Sequence, residues 1–180
     1  MKLAIMQPYF FPYIGYWQLL NLSDVFVVYD DVDYIKQGYI NRNTLLINGE
    51  RKYFTLQTIG AGSNTKIMNV GVGTNAKKLL KTISQNYSKS PFFEETYPLI
   101  EDILTNDEKN LSRFLLNSLK LVFISPKINI LMIIAITALI YVSLPLIFGL
   151  YLIIEPRPNL LSISSGSMSS MHFIPALIIC

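Results

Sequence analysis

KLAIMQPYFFPYIGYWQLLNLSDVFVVYDDVDYIKQGYINRN, residues 2–43, is the stretch on which the fold turns. Its first apolar run, Leu3 to Met6, has the length of one buried strand. The loop that follows, Gln7 to Gly15, contains Pro8 and Pro12. Neither proline can donate a ladder hydrogen bond, so the strand is expected to end near Gln7. From Tyr16 to Leu22 the spacing is helical, with Trp17, Leu20 and Asn21 at i, i+3 and i+4. A second run, Val25 to Tyr29, is β-branched and aromatic and predicts another buried strand. Strand, loop, helix and strand in so short a span make the smallest parallel crossover. Ligands of open α/β sheets sit beyond the carboxyl ends of the strands. Gln7-Pro8-Tyr9 follows the first strand and Asp30-Asp31-Val32-Asp33 the second, which places a site between them.

Downstream, Asn48-Gly49 between Thr44–Ile47 and Lys52–Leu56 is a hairpin signal. A loop is expected at Gly60 to Asn64 and a further strand at Ile67 to Val72. Thr74-Asn75 can cap a helix over Ala76–Tyr87, with Leu79, Leu80, Ile83 and Tyr87 on one face. Ser90-Pro91 predicts the start of a second helix, with Glu94 and Glu95 near the positive end of its dipole. Asn106-Asp107-Glu108 predicts the start of a third, with Leu111, Leu115, Leu119 and Val122 as its buried stripe. The fold class is therefore α/β: an N-terminal Rossmann-like β-loop-α-β unit, a hairpin and a helical second half.

The 180 residues suffice for one ordinary core. A formal charge of +3 without a dense basic cluster argues against nucleic acid as a partner. Lys77, Lys78 and Lys81 lie on a predicted helix and read as its solvated face. One cysteine, Cys180, allows no internal disulfide, and one histidine, His172, leaves no Cys/His metal constellation or hydrolytic triad. The start of the chain lacks the pattern of a signal peptide, so the first part is expected in the cytoplasm. Charge is unevenly spread: residues 128–180 carry only Glu155 and Arg157. Within them, residues 128–154 form an uncharged run of 27, longer than the roughly 20 residues a bilayer core requires. Lys120 and Lys127 upstream would set a membrane helix with its amino end, and residues 1–121, on the cytoplasmic side of an inner membrane. Core segments split at Pro145 are a second reading. The division is thus 1–121 as the α/β domain and 122–180 as an apolar tail.

Asp30, Asp31 and Asp33 form the densest acidic cluster. At a strand end Asp30 and Asp31 cannot point the same way, so one faces the site while another serves the turn. A magnesium ligand, a general base acting on an amine and plain turn chemistry are all open. Lys36, Asn41, Arg42 and Asn43 supply two cations and two amides within eight residues. Arg42 can clamp a phosphate or carboxylate through two parallel N–H bonds, and the asparagines can read sugar hydroxyls. The bland alternative is an exposed polar loop. Tyr9, Tyr13, Tyr34 and Tyr39 suit a stacked sugar or base, whereas Phe10, Phe11 and Trp17 are assigned to the core.

Taken together, Gln7-Pro-Tyr-Phe-Phe-Pro-Tyr-Ile-Gly15, Tyr29-Asp-Asp-Val-Asp-Tyr-Ile-Lys36 and Asn41-Arg-Asn43 resemble the WbqC-like family. Tyr87-Ser-Lys-Ser-Pro-Phe-Phe93 and Leu115-Leu-Asn-Ser-Leu119 continue the likeness, which covers about residues 1–121. The resemblance implies a role in bacterial surface polysaccharide (O-antigen) biosynthesis, with transfer of an acyl or aminoacyl group such as glycine onto an amino sugar. A non-catalytic nucleotide-sugar binder or a membrane-tethered accessory protein is the alternative. It implies Asp30 and Asp31 as catalytic residues. Gln7, Tyr9, Tyr13, Gly15, Tyr34, Lys36, Asn41, Arg42 and Asn43 become the binding residues for a small-molecule sugar nucleotide or glycan precursor. No metal is assigned, and cofactor and oligomeric state stay open. The end of both charge and resemblance near Leu121 adds a third reading of the tail, a frameshifted or truncated remnant. A fainter likeness, to nucleotidylyltransferase-like α/β folds, lacks their loop histidines and is one of fold only.

Overall fold

The computed structural model describes residues 1–125 and the short strand 164–165. Strand β1, Leu3–Met6, and strand β2, Val25–Val28, pair in parallel, Leu3 opposite Val25 and Met6 opposite Val28. Helix α1, Ile14–Leu22, makes the crossover between them. It begins two residues before the Tyr16 that the apolar spacing marks, because Tyr13 adopts an extended conformation and its carbonyl accepts from Tyr16 N. Tyr16, Trp17 and Leu20 form its buried face, and Phe26 and Val28 meet them from β2.

The hairpin forms as β3, Arg42–Ile47, against β4, Glu50–Thr55. Asn48 and Gly49 at its tip both have positive φ, +54° and +79°, the pair that a two-residue hairpin turn of right-handed twist needs. Its strands are longer than the apolar runs suggested, since Arg42 pairs with Thr55 and Glu50 with Ile47. Two-residue strands β5, Thr58–Ile59, and β6, Gly71–Val72, pair antiparallel. The strand expected over Ile67–Val72 is thus mostly absent: Ile67–Asn69 is a 3-10 turn and only Gly71–Val72 is extended. The turn follows from where its amides go. Ile67 N and Met68 N donate to Val32 O and Asp30 O, which docks the segment on the acidic turn instead of in a ladder.

Helix α2 spans Ala76–Tyr87, with Leu79, Leu80 and Ile83 buried and Lys77, Lys78 and Lys81 exposed, as its spacing predicts. Asn75 precedes it but does not cap it. Its amide carbonyl accepts from Gln57 N and its amide nitrogen donates to Thr55 O, tying the helix start to β4 instead. Helix α3, Phe93–Leu104, starts after the expected Ser90-Pro91, because Ser90 O accepts from Phe93 N in a turn. Pro98 lies inside it, where an amide donor is missing from the ladder.

Helix α4 runs from Leu111 to Ile124 and is capped by Asn110, whose side chain accepts from Arg113 N at 3.1 Å. Asn106 to Glu108 do not start it. Leu111 N donates to Val70 O and Val72 N to Lys109 O, so Asn110 is held extended, bridging Gly71, and the helix begins only at Leu111. Leu111, Leu115, Leu119 and Val122 are buried along with Phe114, Leu116 and Phe123. Strand β7, Ser164–Ser165, pairs in parallel with Val27–Val28, giving the order β1-β2-β7.

The architecture is accordingly mixed, helices with small sheets, and no described helix is long and apolar enough to cross a membrane. The uncharged run 128–154, with its anchor, core and remnant readings, lies outside the described residues, as do His172 and Cys180. Leu115 sits in the middle of the α4 face with no exposed surface. Leu115→Ala is expected to lower the unfolding free energy by about 3 kcal/mol. Leu46→Ala, on a side chain 62% exposed, should change it by less than about 0.5 kcal/mol. Urea unfolding of the two variants checks the contrast.

Candidate functional site

Parallel pairing puts the carboxyl ends of β1 and β2 side by side, and Tyr29 N still donates to Met6 O beyond them. The Gln7–Gly15 loop and the acidic turn therefore leave the sheet from neighbouring strands. The loop is bound to the segment before β3: Phe10 N donates to Ile40 O at 3.1 Å, and Asn43 Nδ2 donates to Phe10 O and Phe11 O. Phe11 has φ +48°, an outlier for an aromatic residue, and the Asn43 amide fastens the carbonyl of that residue.

The two acidic residues separate as the strand geometry requires. Asp30 is buried, and Ser112 Oγ from the first turn of α4 donates to its Oδ2. Asp31 is ion-paired with Lys66, its side chain 12% exposed and that of Lys66 47%. Lys66 is brought there by a narrow antiparallel contact: Asp33 bridges Lys66, Tyr34 N donates to Thr65 O, and Ile67 N donates to Val32 O. Its ammonium is held above the usual lysine range chiefly by the hydrogen bond to Asp31, then by the charges of Asp31 and Asp33. Among the described residues no three acids, histidines or cysteines converge on one point. As placed, Asp30 and Asp31 do not form a joint cation cage.

The Asn41–Asn43 triplet turns mainly inward. Asn41 is buried, accepting from Tyr34 OH and donating to Leu56 O, both at 2.7 Å. Arg42 donates through Nε to Gly38 O at 3.0 Å and through Nη2 to Gln37 O. The hairpin register sets Tyr53 diagonal to Arg42 on one face, and the guanidinium lies 4.3 Å from the Tyr53 ring centre. Gln37 is another non-glycine residue in the left-handed region, φ +62°. So the two loop residues with this strain, Phe11 and Gln37, are each held by a side chain from the start of β3.

The tyrosines divide by burial. Tyr34 is buried, and burial pushes its phenol up, partly opposed by a Thr58 hydrogen bond and the Arg42 charge. Tyr9 is half-buried, its phenol raised by burial and then by Tyr13, and it donates to Gln7 Oε1 at 3.4 Å. Tyr16, not among the expected site residues, donates to Gln7 O at 3.1 Å, and burial raises its phenol strongly. Tyr13 is 66% exposed and Lys36 is exposed. Gly15 lies under Tyr13, where a Cβ would meet the ring at 2.5 Å. The positions the sequence pattern missed are Lys66, Ser112 and Tyr53. Lys66 and Ser112 come from segments remote in sequence that nothing local marks, and Tyr53 from the facing strand of the hairpin.

The WbqC-like protein family matches residues 7–140, past Leu121. The chain belongs to the WbqC-like family. It is also 30% identical over 125 residues to an uncharacterized protein, Rv1507c, of Mycobacterium tuberculosis, covering 66% of this chain. That alignment spans 54% of the relative, so the chain corresponds to about half the length of the curated protein it matches. No solved structure matches the chain.

Two outcomes test this geometry. Ser112→Ala leaves the Asp30 carboxylate buried without that donor and is expected to cost about 2 kcal/mol. Asp30→Asn in the Ser112→Ala background should add less than its cost alone, a coupling that a double-mutant cycle of unfolding measures. The Lys66–Asp31 pair stabilises the fold below the ordinary lysine value, and this contribution disappears as pH rises through the raised Lys66 value. Asp31→Asn should lower the Lys66 titration midpoint, read by NMR of its side chain.

Proposed function

We propose that the chain is a transferase of bacterial surface-polysaccharide (O-antigen) biosynthesis that places an acyl or aminoacyl group on the amine of a sugar. The observation that carries the reading is a carboxylate, Asp31, held by Lys66 beside the ends of two parallel strands, in a chain of this family. The β-loop-α-β unit is Rossmann-like in this reading, and the ligand is a nucleotide-activated sugar or glycan precursor lying over the carboxyl ends.

Asp31 is the general base. Its carboxylate accepts the proton of the sugar amine as the nitrogen attacks the acyl carbonyl. The new C–N bond forms, and the bond from carbonyl carbon to donor breaks, its electron pair leaving with the donor. Asp30 does not share this task, because it is buried against Ser112 and fixes the turn that presents Asp31. The exposed Tyr13 ring and half-buried Tyr9 supply faces for the sugar, and Lys36 and Arg42 supply positive charge for phosphate. The work is placed in the cytoplasm, where activated sugars are made.

The ion pair that already engages Asp31 favours, as a second reading, a binder of nucleotide sugars that catalyses nothing. Mass spectrometry of the surface glycan decides. A deletion strain is expected to lack one N-acyl or N-aminoacyl substituent, and Asp31→Asn should fail to restore it while remaining folded. Restoration by Asp31→Asn supports the binder, and an unchanged glycan in the deletion strain refutes both.

A further inference from the structure

The edge of Arg42 best suited to an anion is already occupied, and by weak partners. Nε and Nη2 are the parallel donors with which a guanidinium grips an oxyanion, yet here they meet two neutral carbonyls, Gly38 O and Gln37 O. Those carbonyls belong to the turn Ile35–Gly38, closed by Gly38 N donating to Ile35 O at 3.2 Å, with Gln37 in the left-handed region that side chains resist. Gly38 itself is not the residue with positive φ, so the turn gains none of the relief a glycine would give at that position. Arg42 thus holds a strained turn shut. Meanwhile its guanidinium lies over the Tyr53 ring, which steadies its plane whatever its edge is bound to.

We propose that Arg42 is an anion-operated latch: a phosphate or diphosphate group takes its Nε/Nη2 edge, displaces Gln37 O and Gly38 O, and releases the Ile35–Gly38 turn. Both sets of bonds come from a charged guanidinium, but only the oxyanion brings an opposite charge and a bidentate fit, so the exchange favours the ligand. Release also relaxes Gln37, and it frees exposed Lys36, within the same turn, to move toward the second phosphate. The ligand class is a diphosphate ester such as the nucleoside diphosphate portion of an activated sugar. The inference rests on the proposed sugar-nucleotide reading for the identity of the ligand, but the latch itself is a property of Arg42 and the turn.

The test is hydrogen exchange of the full chain titrated with inorganic pyrophosphate, against sodium chloride at equal ionic strength. Exchange of the Gly38 amide, whose bond to Ile35 O closes the turn, is expected to rise about tenfold and to saturate as the turn is released. Arg42→Lys keeps the charge without the fork and should abolish the response. If that variant does not fold, Tyr53→Ala should shift the half-effect concentration upward about fivefold. No saturable change, slower exchange, an equal effect of chloride, or an unaltered midpoint in Tyr53→Ala overturns the latch. A null result alongside an altered glycan in the deletion strain refutes the latch and leaves the transferase reading intact. A positive result alongside an unchanged glycan does the reverse.

Discussion

Pro8 and Pro12 have no amide hydrogen to give to a ladder, so the Gln7–Gly15 loop leaves the sheet and its carbonyls are met by side chains. Gln7 O accepts from Tyr16 OH, Pro12 O from Trp17 Nε1, and Phe10 O and Phe11 O from Asn43 Nδ2. Unpaired backbone carbonyls in a buried setting are costly, so these donors dictate what surrounds the loop. Two come from α1 and one from β3. The helix and the hairpin are thereby fixed to the strand end from which the loop leaves. The raised phenol of Tyr16 serves this arrangement, since only the neutral form has a proton to donate.

The same economy explains the triplet Asn41, Arg42 and Asn43. At the start of β3 the chain alternates sides, and each side chain reaches a different set of carbonyls: Leu56 O, those of Gln37 and Gly38, and those of Phe10 and Phe11. Three neighbouring residues therefore knit the chain just after β4, the Ile35–Gly38 turn and the Gln7 loop together. Polar residues clustered by sequence need not converge on a ligand. Here they diverge from one strand start, each fastening a different stretch of backbone.

That turn is shaped from further away still. Asp30 is joined to Ser112 and Asp31 to Lys66, so the two carboxylates are drawn apart, one inward and one toward solvent. The buried one is held against the first turn of α4, and the paired one keeps 12% of its side chain exposed. Burial and partner, rather than position in the cluster, distinguish them.

The sequence alone determined much of this. Leu3–Met6 and Val25–Val28 are strands because each is a short apolar run bounded by breakers, and the helix between them forces parallel pairing. Asn48-Gly49 made the hairpin through backbone freedom, a strictly local property, and the apolar spacing of Ala76–Tyr87 made α2. Local periodicity also marked the α4 stripe, though not its start, because Lys109 O and Leu111 N are claimed by Val72 and Val70. The apolar run at Ile67 failed as a strand for a similar reason, its amides being taken by the acidic turn. Only the tertiary structure could reveal that Asp30 meets a serine 82 residues away, that Asp31 meets Lys66, or that Arg42 faces carbonyls. Pattern records which residues share a face; partners across long separations are set by packing, which no local window contains.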